Sequence, residues 1–142
     1  MSRTVHRLEL VVDESVLDDN GHVNNVAYVQ WMQEAAIAHA DITGGTAATQ
    51  EAGCTWVARS HHIEYLRPAY LGDRIELRTW IGDLRRAGSQ RRYRFVRIED
   101  GTELARGATD WVFVDAESGR PRRIPETVTE VFEVVGETET AV

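Results

Sequence analysis

The sequence predicts an α+β fold in which one antiparallel sheet of about five strands covers a single long helix. A long, mostly apolar segment lies near the start of the chain, and runs with the two-residue alternation of strands follow it. No repeat or proline-rich linker divides the sequence. The length of 142 residues is that of one ordinary domain, so we expect residues 1–142 to form a single unit.

The first strand and the helix differ in the period of their apolar residues. From Thr4 to Val12, Leu8, Leu10 and Val12 alternate with other side chains, which predicts a half-buried strand. From Val23 to Ala40 most positions are apolar, and this predicts a helix buried around most of its circumference. The glycines of "TGG", residues 43–45, are expected to end it. The few polar positions form one narrow stripe: Gln30, Gln33, Glu34 and Asp41.

The rest of the chain is predicted to be mainly strands. The four runs cover residues 54–66, 74–82, 89–98 and 103–115, and "EDG" at 99–101 is typical of a hairpin turn. A short terminal helix is expected after them, with Pro125 in its first turn.

Composition narrows the class of protein. The formal net charge is −7 and all sixteen basic residues are arginine, a balance that disfavours general nucleic-acid binding. The start has no signal-peptide pattern, and no window approaches the roughly 18 apolar residues of a membrane span. We therefore expect a soluble, cytoplasmic protein. The single cysteine, Cys54, excludes an internal disulfide and is expected to be a buried apolar residue rather than a nucleophile.

A polar stretch directly precedes the helix, and its pattern resembles a known family. The stretch "DDNGHVNNVAYVQW", residues 18–31, is similar to the D-x-x-G-x-V and D-x-N-x-H-V-N-N-x-x-Y signatures of hotdog-fold thioesterases. These include the 4-hydroxybenzoyl-CoA-thioesterase-like group and the plant acyl-carrier-protein thioesterases. The segments "RSHHIEYLRPAYLGD" and "WVFVDAESGRPRRIP" extend the resemblance over nearly the whole chain. It implies a hotdog fold, in which a curved antiparallel sheet wraps one central helix.

The resemblance also implies roles for four residues. Asp18 matches the family's catalytic acid, either as nucleophile or as general base for water. Asn20 and His22 match positions that orient substrate or water, and the backbone N–H near Asn25 would polarise the thioester carbonyl. A helix start suits that task because its N–H groups are unpaired and the helix dipole is positive there. No cofactor and no metal is expected.

Purely structural explanations compete with these catalytic roles. Asp18, Asn20 and Asn24 are residue types favoured in turns and helix caps for hydrogen-bonding reasons alone. Asp19 is interpreted as a solvent-facing turn residue. Glu34 is either a second carboxylate at the site or an exposed helix residue, and the latter is favoured.

Substrate contacts are predicted from charge and apolar surface. The run "RRAGSQRRYR" places five arginines around a strand turn, where paired guanidinium donors could bind the phosphates of coenzyme A. Pairing with surface acids is the competing interpretation. Arg59 is a further candidate. Apolar candidates for the acyl group are Tyr28, Trp31, Met32 and Trp56. The five arginines are Arg85, Arg86, Arg91, Arg92 and Arg94.

Two adjacent histidines, His61 and His62, lie in the second strand run, so they are expected on opposite sheet faces. His61 would share its face with Val57, Ile63 and Tyr65. A metal site formed by these histidines and His22 is disfavoured, because the spacing matches no metal-binding pattern.

The leading hypothesis is an acyl-CoA thioesterase. The resemblance implies a homodimer with its active site at the subunit interface, and two dimers could associate further. Alternatives are an acyl-carrier-protein thioesterase, a hotdog dehydratase or hydratase, and a non-catalytic module that binds acyl thioesters.

Overall fold

The computed structural model describes residues 5–136. Within them, five strands form one antiparallel sheet with the order β1-β3-β4-β5-β2. The predicted fold class is confirmed, although Thr4, the expected start of the first strand, lies outside the described residues. The strands are β1 (Val5–Val11), β2 (Cys54–Tyr65), β3 (Arg74–Leu84), β4 (Gly88–Arg97) and β5 (Glu103–Asp115).

Three α-helices accompany the sheet: α1 (Asn25–Thr43), α2 (Gly45–Glu51) and α3 (Glu126–Thr129). A single turn of 3-10 helix, Glu14–Val16, precedes α1. The long helix thus begins two residues after the predicted start. Pro125 is the N-cap of α3 rather than part of its first turn.

The second glycine of "TGG" has a role that the sequence analysis missed. Gly44 ends α1 with a positive φ of 90°, as expected. Gly45 is already the first residue of α2, and a Cβ there would clash with the ring of Phe132. Gly45 therefore permits close packing between α2 and the C-terminal segment.

The main core lies between α1 and one face of the sheet. Tyr28, Met32 and Ala35 of α1 are buried against strands β3, β4 and β5. Their partners on the sheet include Ile75, Leu77, Tyr93, Phe95 and Ala105.

The other side of α1 is exposed, so the prediction of a helix buried around most of its circumference is wrong for the described chain. Val26 and Ile37 are 75% and 59% exposed. The sheet covers only one side of α1, which leaves these apolar residues facing outward.

Strand β2 lies at one edge of the sheet and pairs only with β5 among the described strands. Its register shifts between Ala58 and Ser60, so Arg59 is the extra residue of a β-bulge. The bulge changes the faces predicted by simple alternation. Val57 pairs with Val112, whereas His61 pairs with Thr109, and the two therefore lie on opposite faces. The prediction that Val57 shares a face with His61 is wrong for this reason.

Candidate functional site

A cleft of about 290 Å³ lies where the loop before α1 meets the end of β2. It brings together four residues predicted from the sequence, namely Asp18, His22, Asn25 and Tyr28. The remaining lining comes from one residue of the same loop and from the last residue of β2 with the loop after it: Val23, Tyr65, Leu66, Arg67 and Pro68.

Asp18 is fixed by a tight turn. Its Oδ1 accepts the backbone N–H groups of Asn20 at 2.9 Å and His22 at 3.0 Å. The backbone N–H of Gly21, which has a positive φ of 76°, donates to the carbonyl of Asp18 at 3.0 Å. Oδ2 has no hydrogen bond to the described residues, so one carboxylate oxygen is held and the other is available for a ligand.

The first turn of α1 offers unpaired donors. The side chain of Asn24 caps the helix by accepting the N–H of Ala27 at 2.8 Å, and its Nδ2 donates to the carbonyl of Val16 at 2.9 Å. Capping is therefore the role of Asn24. The N–H groups of Asn25 and Val26 have no acceptor among the described residues. They provide the positive end of the helix dipole at the cleft.

His22 and Asn20 differ in position. The backbone of His22 pairs with that of Tyr70, and the two rings meet edge to face with centroids 5.1 Å apart. These contacts hold the half-buried His22 at the cleft wall. The side chain of Asn20 is exposed at the tip of the turn and does not line the cleft. Asn20 contacts Asp18 only through its backbone N–H among the hydrogen bonds of the described residues. Asp19 is exposed in the same turn, as predicted.

Two tyrosines join α1 to β2 beside the cleft. The hydroxyl of Tyr65 donates to the carbonyl of Asn25 at 2.9 Å, and the rings of Tyr28 and Tyr65 pack edge to face. Burial, assisted by the neighbouring Tyr65 and Asp73, raises the pKa of Tyr28 to about 12. Tyr28 therefore stays protonated at neutral pH. Together the tyrosines fix the helix start against the sheet edge.

Arg67 is a cleft residue that the sequence analysis missed. It is exposed, lines the cleft, and forms no ion pair within the part of the chain that the structure describes. Its Nη1 donates only to the carbonyl of Leu66, at 3.0 Å. The sequence feature that could have pointed to Arg67 is its position in "LRPAYLGD", directly after a strand and before a proline.

The predicted arginine cluster is far from Asp18 within one chain. The cleft adjoins the start of β3, because the backbone of His22 pairs with Tyr70, which itself hydrogen-bonds Asp73. Arg85 and Arg86 follow the other end of β3, whose eleven residues span roughly 33 Å at about 3.3 Å per residue. Arg85 forms ion pairs with Asp110 and, at 3.3 Å, with Asp83.

The remaining arginines do not form one surface cluster, and that prediction is wrong for Arg91. Arg91 is only 4% exposed and faces α1, whereas Arg92 and Arg94 are half-buried on the opposite sheet face. The cause is the alternation of side chains along β4. Arg94 forms an ion pair with Glu103 at 2.9 Å.

Several other candidates lie outside the cleft. Trp31 packs on Tyr28 and Phe95 in the core. Glu34 is exposed and accepts a hydrogen bond from Gln30 at 3.1 Å. Arg59 is exposed on β2.

The adjacent histidines are on opposite sheet faces, as predicted. His61 is 2.8 Å from the Thr109 hydroxyl, and His62 lines a cavity with Arg92. No group of histidine, cysteine and acidic side chains within residues 5–136 is arranged to hold a metal ion. No helix in this range has the length and apolar character needed to cross a bilayer.

A carboxylate beside unpaired helix-terminal donors is suited to acyl transfer, because the donors can hold a developing oxyanion. Comparison with known proteins agrees with this chemistry. Residues 12–132 match the model of the thioesterase-like superfamily, and the chain belongs to that family.

One sequence relative and two solved structures are similar to this chain over most of its length. The palmitoyl-acyl carrier protein thioesterase of Arabidopsis thaliana chloroplasts is 32% identical over 102 residues, which cover 68% of this chain and 22% of that protein. This chain thus spans about a fifth of that relative's length. An acyl-ACP thioesterase from Bacteroides thetaiotaomicron superposes with a TM-score of 0.84 at 19% identity, covering 100% of this chain and 60% of that one.

A 1,4-dihydroxy-2-naphthoyl-CoA thioesterase from Synechocystis superposes with a TM-score of 0.79 at 18% identity, covering 89% of this chain and 94% of that one. At such identities the structural matches establish the fold alone. They confirm the hotdog architecture implied by the sequence.

Proposed function

We propose that this protein hydrolyses an acyl thioester at the cleft that Asp18 lines. One observation carries the proposal: Asp18 and Asn25, at the start of α1, line the same cleft. Oδ2 of Asp18 and the N–H of Asn25 have no hydrogen-bond partner among residues 5–136. Membership of the thioesterase-like superfamily supports this chemistry.

In the proposed reaction, the thioester carbonyl oxygen accepts a hydrogen bond from the N–H of Asn25. Asp18 removes a proton from a water molecule while the water oxygen bonds to the carbonyl carbon. The resulting tetrahedral oxyanion collapses, the carbon–sulfur bond breaks, and the proton passes to the thiolate. The products are a carboxylic acid and a thiol.

Direct attack by Asp18 is the alternative form of the same reaction. The carboxylate oxygen would form an anhydride and expel the thiolate, and water would then cleave the anhydride. Label in Asp18 after a single turnover in ¹⁸O-labelled water would establish the anhydride route, because water must then have attacked the Asp18 carbonyl of the anhydride. Trapping of an acylated Asp18 with hydroxylamine would establish the same route when water attacks the acyl carbonyl instead. The geometry of the turn serves either route.

His22 and Tyr28 are proposed to shape the site without reacting. His22 lies at the cleft wall against Tyr70, where it can hydrogen-bond water or substrate. Tyr28 stays neutral and presents an apolar ring to the acyl group.

The thiol carrier is proposed to be coenzyme A, with acyl carrier protein as the alternative. Arg67 is the one arginine among the described residues that line the cleft, and it can pair with a phosphate of either carrier. Arg85, Arg86 and Arg123 line an open groove at the far end of β3. From within the same chain they are too distant to assist at Asp18, but the second subunit of a dimer could supply them.

A homodimer formed through β2 is proposed as the working assembly, with association of two dimers as an extension. Strand β2 has twelve residues and no partner on its outer edge among the described strands, and most of its side chains are exposed. A long unpaired edge favours pairing with another strand. A second copy would pair antiparallel and close the assembly by twofold symmetry.

The deciding experiment is a panel of acyl-CoA and acyl-carrier-protein thioesters, with thiol release followed colorimetrically. We expect hydrolysis of at least one class of acyl-CoA. Hydrolysis of acyl-carrier-protein thioesters alone would identify acyl carrier protein, rather than coenzyme A, as the carrier.

Two further outcomes would overturn the proposal. Binding of many thioesters without hydrolysis would favour a non-catalytic module. Formation of an ultraviolet-absorbing enoyl product from a 3-hydroxyacyl-CoA would favour a dehydratase.

A further inference from the structure

A second cavity, of about 350 Å³, lies at the opposite end of α1 from the Asp18 cleft. It is bounded by the C-terminal half of α1, by α2, and by the sheet. Among the α1 residues that line this cavity, Ala36 is the closest in sequence to Asn25. The two residues are about 17 Å apart along the helix, at 1.5 Å per residue. Its walls are mainly apolar and include Ile37, Trp56, Ile81, Leu84, Trp111 and Phe132.

Arg91 is the one cationic residue among the described residues that line this cavity. Its Nη1 donates to Nδ1 of His39 at 2.9 Å and to the hydroxyl of Thr79 at 3.1 Å. Nε and Nη2 have no hydrogen-bond acceptor, and no carboxylate lies within ion-pair distance, among residues 5–136. A buried guanidinium therefore lies in an apolar cavity without a counter-anion from the described chain.

This arrangement is costly for the protein alone. A buried charge is normally paired, because it loses its hydration and gains no compensating attraction. Burial lowers the pKa of Arg91 to about 10, with a smaller opposing effect from Tyr93. The side chain nevertheless remains a cation at neutral pH.

The neighbouring histidines do not supply the missing negative charge. A guanidinium can only donate, so Nδ1 of His39 must accept and carries no proton. His6 stacks on His39 with ring centroids 5.3 Å apart, and its pKa is lowered by burial and by the charge of Arg91. Both residues are thus neutral neighbours of Arg91.

Asp41 is the one acid among the described residues that line the cavity. Asp41 is exposed and accepts a hydrogen bond from the hydroxyl of Thr46. Its negative charge repels an anion at the entrance, whereas Arg91 attracts one deeper inside. A bound carboxylate is therefore expected to point towards Arg91 and away from Asp41.

We propose that this cavity is a binding site for an organic carboxylate with an apolar body. The carboxylate pairs with Nε and Nη2 of Arg91, and the apolar body packs against Trp56, Trp111 and Phe132. A guanidinium and a carboxylate match in shape and form paired hydrogen bonds. The inference does not depend on hydrolysis at Asp18, since it concerns a separate cavity and is tested by binding.

Binding of sodium octanoate to the 142-residue protein is measured by calorimetry and by the fluorescence of the cavity tryptophans. Octanamide has the same shape without the charge. We expect octanoate to bind at least about 10-fold more tightly than octanamide, because a hydrogen bond to a charged group contributes about 1.5 to 3 kcal/mol. Equal affinities, or no saturable binding of octanoate, would overturn the proposal without any substitution.

Variants locate the site. Arg91→Gln should weaken octanoate binding by about 10- to 100-fold and leave octanamide unchanged, whereas Arg91→Lys should retain part of the preference. Arg120→Gln is the matched control, because Arg120 is exposed and does not line the cavity. If Arg91→Gln does not fold, Ala40→Phe narrows the cavity from α1 and should abolish octanoate binding. Unchanged binding in Ala40→Phe would contradict the assignment.

The carboxylate has two possible sources, and a third titration separates them. A free acid is represented by octanoate, and the far end of a dicarboxylic thioester by suberyl-CoA compared with octanoyl-CoA. Arg91-dependent binding of octanoate that suberyl-CoA does not exceed assigns the site to free acids. If suberyl-CoA binds more tightly than octanoate, and its binding also depends on Arg91, the site receives the terminal carboxylate of an acyl group.

Discussion

Asp18 and His22 are joined twice through the turn between them. The backbone N–H of His22 donates to Oδ1 of Asp18 at 3.0 Å, and its carbonyl accepts the N–H of Asp18 at 2.7 Å. The same turn therefore fixes the carboxylate and places His22 at the cleft wall. It also leaves Oδ2 as the oxygen that can meet a ligand.

This geometry makes Asp18→Asn an informative substitution. The new amide keeps an oxygen that can accept from Asn20 and His22, so the turn should persist, but it cannot act as base or nucleophile. We expect thiol release to fall by at least about 100-fold, with an unchanged circular dichroism spectrum. Asp19→Asn in the same turn is the control and should retain full activity. Equal turnover in the two variants would reject Asp18 as the reacting group.

Arg67 provides a test of substrate charge at the cleft. Arg67→Gln removes the cation without removing a salt bridge of the described chain, so the fold should be unaffected. If Arg67 pairs with a phosphate of the carrier, KM should rise about 5- to 50-fold while kcat changes little. The effect should shrink as salt is added. Steady-state kinetics at two ionic strengths decide this, and an effect confined to kcat would argue against phosphate binding.

The two edges of the sheet allow a matched test of the dimer. Val57 lies on β2 and is 45% exposed, and Val11 lies on β1 at the opposite edge and is 59% exposed. If β2 pairs with a second copy, Val57→Glu should place two like charges near the interface and weaken association by at least about 10-fold. Val11→Glu should not. Sedimentation velocity over a concentration series measures both, and a stronger effect from Val11→Glu would assign the interface to β1.

His6 links stability to pH. It is 3% exposed, and its pKa lies below 6.5 because burial and, secondarily, the charge of Arg91 disfavour protonation. The unfolded chain therefore binds a proton more readily than the folded one. The contribution of neutral His6 to the free energy of unfolding is therefore present above pH 6.5 and is lost as the pH falls below that value.

We expect the melting temperature to fall by up to roughly 5 °C between pH 7 and pH 5 through His6. His6→Phe keeps an aromatic ring against His39 and should reduce this slope. His62→Phe, at an exposed position on the other sheet face, should leave it unchanged. If all three proteins show the same slope in calorimetry, His6 is not its source.

The order of the long helix and the five strands could be predicted from the sequence, whereas α2 was missed. Alternation in β1 and β3 and the long apolar run of α1 are local patterns, and each has the period of the structure that it forms. The turn around Asp18 is also local, because its hydrogen bonds join residues at most four positions apart. Asp18, His22 and Asn25 are close in sequence, and the resemblance of this stretch to the family's signature implied that they share one site.

Which distant residues share a cavity depends on tertiary contacts that no local pattern predicts. The bulge at Arg59 moved Val57 to the other face of β2, and no local pattern marked it. Arg67 reaches the cleft because β2 ends beside the start of α1, where Tyr65 bonds to Asn25. Arg91 and Arg92 are adjacent in sequence, yet one lies in the core and the other on the opposite face. Burial depends on what the rest of the chain places above each face, and the sequence of one strand does not contain that information.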